Sequence, residues 1–168
     1  MKTSPLNIKL AILVSVFWTS TSIALAQDSV PAGWRKIDVE GKFSFYLPAN
    51  MRFTGRGMEN LHHEYTNGRM QVGFDYAAFF CRAYENRART FGKDFEEIES
   101  QLDGKKTYLF VYQSKDWKNR RWYVAEFHVG DLPNCKVILW MTVSSRSRQA
   151  MQTARTIFRT IKFPAHAL

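Results

Sequence analysis

The chain has 168 residues, and its 24 Lys and Arg against 15 Asp and Glu set a formal charge of +9 at neutral pH. The length suits a domain that can bury a sizeable core, and aromatics at 15% suit a β-rich one. The positive excess favours anionic partners or serves solubility, but it does not choose a fold.

In chain order, Lys2 and Lys9, the apolar run Leu10 to Trp18 and the small-x-small triplet Ala24-Leu25-Ala26 read as a signal peptide over residues 1–26. The run is shorter than the roughly 20 residues a membrane span needs. No cysteine follows the triplet and no twin-arginine pair precedes it. The expectation is an exported protein, periplasmic or secreted, formed by residues 27–168 as a single domain. Loss of Lys2 and Lys9 leaves it a formal charge of +7. No later stretch is long and apolar enough for a membrane helix.

Trp34 to Val39 and Lys42 to Leu47 read as two short strands joined by Glu40-Gly41. In the second, Phe43, Phe45 and Leu47 alternate with Lys42, Ser44 and Tyr46, the period of a half-buried strand. Pro48 closes it. Residues 50–57 are a loop or short strand. Leu61 to Thr66 is a strand, and Asn67-Gly68 is the strongest hairpin signal in the chain. The strand beyond it places Met70, Val72, Phe74, Tyr76, Ala78 and Phe80 on one face. Residues 82–93, rich in Arg and Glu without clean period, suggest a surface loop or short helix.

Phe95 to Leu102 fits a helix through Phe95, Ile98 and Leu102, with Asp94 and Glu97 as a capping box. It also alternates as a strand, and Asp103-Gly104 tips the choice toward a hairpin with Lys106 to Gln113. Arg121 to Val129 and Cys135 to Val143 follow across short loops, which predicts an antiparallel meander. From Val137 to Met141 both faces are apolar, as in a central strand. Ser144-Ser145 then leads into a helix ending near Thr160, with Ala150, Met151, Ala154, Ile157, Phe158 and Ile161 on one stripe. Ile161 to Phe163 could add a last short strand. The expected class is α/β of the α+β type: a central antiparallel sheet with helices on its faces, including this amphipathic C-terminal one.

Cys81 and Cys135 are the two cysteines. In an oxidising compartment they invite a disulfide, against the alternative of two separate buried thiols. Metal or redox chemistry would want a C-x-x-C pair, which is absent.

The chain resembles the PsbP-like α/β sandwich superfamily, and within it small secreted bacterial proteins of uncharacterised role. The likeness lies in Gly33-Trp34-Arg-Lys-Ile-Asp38, Gly41-Lys-Phe-Ser-Phe-Tyr-Leu-Pro48, Asp103-Gly-Lys-Lys106 and Ala154-Arg-Thr-Ile-Phe-Arg-Thr-Ile-Lys-Phe-Pro164. These are structural punctuation rather than catalytic residues. The resemblance implies an antiparallel sheet with helices on its faces, in a group made mostly of binding or assembly modules. It transfers no functional residue.

The first candidate site is the stretch Lys115-Asp116-Trp117-Lys118-Asn119-Arg120-Arg121-Trp122. Lys115, Lys118, Arg120 and Arg121 could hold an anion, and Trp117 could stack on a ring or enter a lipid interface. The plainer reading is a charged turn whose Trp122 packs inward. An anionic glycan, a lipid headgroup or an acidic protein fits such a patch, whereas nucleic acid is an odd partner for an exported protein. Arg148, Arg155 and Arg159, off the apolar stripe of the helix, form a second candidate, although such faces are usually just solvated. His62-His63-Glu64 invites a metal reading. Adjacent strand residues point to opposite faces, however, and His128 could join His62 and Glu64 only if the fold brought it there.

Catalytic motifs are missing: there is no G-x-S-x-G elbow, H-E-x-x-H or phosphate-cradling glycine loop. Glu126 and His128 share one strand face, as pairs on exposed sheets often do. No catalytic residue, metal ligand or cofactor is therefore assigned. The reading is an exported, non-catalytic binding or accessory module of the cell envelope. The alternative is a small secreted hydrolase with a site built from scattered His, Glu and Asp.

Overall fold

The structure, a computed structural model, describes residues 30–56, 62–76, 95–115, 118–134 and 136–164, with only the backbone of Arg56 and His62. The targeting segment, the 82–93 stretch, Asp116, Trp117 and both cysteines with their expected bridge lie outside the described residues.

Strands β1 (Trp34–Val39) and β2 (Phe43–Pro48) pair antiparallel as a sheet of their own. Glu40 and Gly41 both take positive φ, 52° and 69°, the backbone of a tight hairpin turn. The other strands are β3 (Arg52–Arg56), β4 (His62–Thr66), β5 (Met70–Tyr76), β6 (Glu96–Leu102), β7 (Lys105–Lys115), β8 (Arg121–Asp131) and β9 (Lys136–Ser145). They form one antiparallel sheet in the order β3-β4-β5-β9-β8-β7-β6.

The meander β6 to β9 holds as expected, and residues 96–102 are strand rather than helix. Asp103 and Gly104 at φ 49° and 74° tie β6 to β7, as the Asp-Gly pair predicts. At the β4–β5 hairpin, Asn67 Oδ1 accepts from the backbone N–H of Arg69 (3.1 Å) and of Met70 (2.9 Å). Stretch 50–57 contains an edge strand, β3, whose pairing slips between Phe53 and Gly55. The last strand inserts at the centre, between β5 and β8, which is why its run is apolar on both faces.

β8 reaches Asp131 because of a bulge at Val129/Gly130. Gly130 has φ 128°, and a Cβ there would lie 2.1 Å from the Lys136 carbonyl oxygen. Only glycine fits this bulge.

Helix α1 (Ala150–Arg159) buries Met151, Ala154, Ile157 and Phe158, four of the six stripe residues named from periodicity. Arg159 in its last turn complements the helix dipole. It is the one helix among the described residues, so the expected plural reduces to a single helix on one face. Phe158 stacks on Phe127 of β8 at 5.0 Å between ring centroids.

The β1–β2 sheet lies beside α1 over this same face, and Phe43, Phe45 and Leu47 join Phe74, Met141, Val143 and Ile157 in the main core. The expected final strand at 161–163 reduces to one bridge, Ser44 to Lys162. Its two backbone bonds (2.8 and 2.9 Å) and a bond from the Tyr46 N–H to Thr160 Oγ1 (2.9 Å) satisfy the outer edge of β2. An edge so covered cannot template further pairing. On the opposite face of the large sheet Tyr108, Phe110 and Tyr112 form part of a second buried cluster.

Candidate anion-binding site

The pleat divides the basic–aromatic stretch. β7 and β8 extend to Lys115 and Arg121, which stand opposite each other in register, one step beyond Ser114 and Trp122. Successive strand residues point to opposite faces. Trp122 therefore faces away from α1 and lies under Arg146, whose guanidinium carbon is 5.5 Å from the ring centroid. Trp122 and Arg121 thus serve different faces, and Trp117, the tryptophan of the candidate site, lies outside the described residues. Lys118 and Arg120 are exposed in the turn, where Asn119 takes φ 59°. Like charges directly opposite in a sheet are unfavourable, so the Lys115–Arg121 pair is a local cost carried by this end of the sheet.

Arg121 meets the second candidate. It lines a pocket of about 390 Å³ together with Arg148 and Arg155, between the ends of β7 and β8, the start of β6 and α1. Tyr123, Gln113 and Gln152 supply further polar and aromatic lining. Glu96 is the one carboxylate among the lining residues, and its Oε2 takes a hydrogen bond of 2.6 Å from Arg155 Nη2. The Arg155 side chain is 22% exposed, so it leans over β6 rather than standing in solvent. Three guanidiniums against one carboxylate leave an excess of two positive charges, in fork geometries that match carboxylate or phosphate. Lys115, Lys118, Arg120 and Arg159 are not among the lining residues. Glu96 escaped the sequence reading because its partner is 59 residues away and no local pattern links them.

The face away from α1 holds a different constellation. Tyr112 Oη donates to Glu126 Oε1, and His128 Nε2 lies 3.4 Å from Glu126 Oε2. Glu126 is 6% and His128 1% exposed, so the shared face expected of them is a buried one. Phe110 meets the His128 ring edge-on and Trp140 stacks on it. In register, His62, Asp75, Trp140 and His128 fall in one row across β4, β5, β9 and β8. His62 is thus three strand spacings from His128, roughly 14 Å, and the two cannot share an ion. His63 stacks on Phe74 at 4.7 Å. Among the described residues no three His, Cys, Asp or Glu are placed to hold a metal.

Burial, with the negative charges of Glu99, Asp131 and Glu97 adding to it, raises the Tyr108 phenol above its ordinary value. Asp131 is held below the usual carboxylate range, chiefly by the Asn134 side-chain amide at 2.7 Å.

No helix among the described residues is long and apolar enough to cross a membrane. No family model matches the sequence, and neither does any curated protein. Solved structures do match. The Ran-binding protein Mog1p of Saccharomyces cerevisiae aligns with a TM-score of 0.49 at 10% identity, over 77% of this chain and 95% of its own. CyanoP, the PsbP of Synechocystis, aligns with a TM-score of 0.50 at 10% identity, over 80% of this chain and 94% of its own. At that identity the likeness speaks to the fold and not to activity. The chain has a PsbP-like α/β sandwich fold.

Proposed function

We propose that this protein is an exported, non-catalytic binding or accessory module of the cell envelope that takes an anionic group in the arginine pocket. The observation that carries the reading is the convergence of Arg121 from β8, Arg148 from the turn before α1 and Arg155 from α1 on one pocket. The opposed Lys115 and Arg121 support it, because a sequence selected for stability alone would not place like charges face to face. Carboxylate or phosphate is the chemistry that fits, and it is common to the anionic glycans, lipid headgroups and acidic proteins expected from the net charge. The N-terminal targeting pattern supports the envelope setting.

The test is binding of the purified protein to methyl phosphate, polygalacturonate, anionic vesicles and an acidic peptide, at low and at physiological salt. The wild type is expected to bind at least one of them with an affinity that falls steeply with salt. Arg121→Ala with Arg148→Ala should weaken that binding about tenfold or more, while Lys118→Ala with Arg120→Ala should change it by less than about threefold. Equal binding by wild type and the pocket variant would refute the reading.

A second reading, a hydrolase, has one observation in its favour: the Tyr112–Glu126–His128 chain is a hydrogen-bonded acid/base set. Its burial argues for a structural role. Turnover of ester or glycoside substrates that His128→Ala abolishes, in a variant still folded by circular dichroism, would move this reading ahead.

A further inference from the structure

Beside the arginine pocket lies an apolar slot of about 170 Å³ between β6–β7 and α1. Half-buried Ile98, Leu102 and Leu109 flank it, and the buried Phe127 and Phe158 rings lie at its base. Arg155 lines both spaces, so its side chain stands between the slot and the cationic pocket. The two spaces differ sharply in chemistry. The pocket carries three guanidiniums, whereas the slot is mainly aliphatic and aromatic carbon, with Ser100, Gln101, Thr107 and Arg159 also in its lining.

We infer that the site takes an amphiphilic anion: a phosphate or carboxylate head on Arg121, Arg148 and Arg155, with a single apolar chain laid along the slot under Arg155. This rests on the reading of the arginine pocket and adds the ligand's tail to it. Three features of the molecule point the same way. Ile98, Leu102 and Leu109 are apolar residues left partly exposed by their own fold, and a chain in the slot would complete their burial. Arg155 stands at the junction, where the linkage between head and tail would pass. Glu96 already occupies one edge of the Arg155 guanidinium, at 2.6 Å, as a resident anion that an incoming head would displace. The Glu96 side chain is 52% exposed, so it can swing into water at little cost. Glu96 therefore acts as a competitor for the head and sets the threshold for binding.

The size of the tail effect follows from burial. Each methylene taken out of water raises affinity about fourfold, so three methylenes in the slot raise it about 50-fold. The experiment compares methyl phosphate, decyl phosphate below its micelle concentration, decanol and anionic phospholipid vesicles, by calorimetry at low salt on the purified protein. Decyl phosphate is expected to bind about 50-fold more tightly than methyl phosphate, and decanol far more weakly than decyl phosphate. Leu109→Trp fills the slot from β7, and Ile98→Ser removes apolar wall from the exposed edge should the larger residue disturb folding. Either should bring the two phosphates to within about threefold while leaving methyl phosphate binding unchanged. Glu96→Gln should strengthen both phosphates a few-fold.

Equal binding of methyl and decyl phosphate by the wild type would overturn the slot and leave the arginine pocket standing. Failure of every phosphate to bind would overturn both. Binding to vesicles alone, unaltered by Leu109→Trp, would assign the arginines to a membrane surface and refute the single-chain ligand.

Discussion

Thr160→Val tests how the helix is joined to the small sheet. The Thr160 side chain is mostly buried, and its Oγ1 accepts from the Tyr46 N–H at 2.9 Å while donating to the Ile157 carbonyl at 2.6 Å. Valine keeps the shape and removes both bonds. The Ile157 carbonyl is still served by the Thr160 backbone N–H at 3.0 Å, so the loss falls on Tyr46, whose N–H is left facing a methyl group. An orphaned backbone donor costs about 1–3 kcal/mol and the lost hydroxyl bond about 1 kcal/mol, partly offset by the extra apolar burial. The expected net loss is about 1.5–3 kcal/mol. At about 3–5 °C for each kcal/mol in a domain of this size, the Tm should fall by roughly 5–15 °C. Thermal and urea unfolding followed by far-UV circular dichroism would measure it. Thr160→Ser, which keeps the hydroxyl, should lose clearly less. A valine variant within about 0.5 kcal/mol of wild type, or a serine variant as unstable as valine, would show that the hydroxyl is not the joint between α1 and β2.

Three other outcomes are expected. Gly130→Ala should cost about 2 kcal/mol or more, because a Cβ would sit 2.1 Å from a backbone oxygen at φ 128°; a urea midpoint unchanged from wild type would contradict the bulge geometry. Tyr112→Phe should cost about 1.5–3 kcal/mol by removing the phenol that donates to buried Glu126, with an unchanged denaturant slope; a loss below about 0.5 kcal/mol would mean the carboxyl does not depend on it. For Asp131 the folded carboxyl lies below its ordinary value, so its contribution to stability is present above the unfolded pKa and is lost as pH falls through the folded one. Asn134→Ala should move the Asp131 titration upward in a carboxyl NMR experiment; no movement would leave Lys106, the Asn134 backbone N–H and Lys136 as the cause.

Much of the fold was legible in local pattern. Period-two alternation located β2 and β5, the Asn67-Gly68 and Asp103-Gly104 pairs located two hairpins, and the spacing of Met151, Ala154, Ile157 and Phe158 located the buried stripe of α1. Each of these signals is written within a few residues, in the geometry of a turn or the period of an element. The candidate site was legible in pieces. Arg121 stood out in the basic stretch, and Arg148 and Arg155 stood off the helix stripe, but nothing local said that they share a pocket.

Tertiary structure decided the rest. The place of β9 between β5 and β8 brings together residues about 70 apart in sequence, such as Val72 and Val143, and a pairing that distant leaves no periodic trace in either strand. The same holds for the detachment of β1–β2 as a second layer and for the use of Thr160 and Lys162 to cover its edge. The pleat set Trp122 and Arg121 on opposite faces, the sheet's packing buried Glu126 with His128, and the seating of α1 on the sheet put Glu96 beneath Arg155. Composition and period determine which residues can be strand, helix or core. Only the pairing of distant strands and the seating of α1 on them determine which charges face one another, and the function proposed here depends on both.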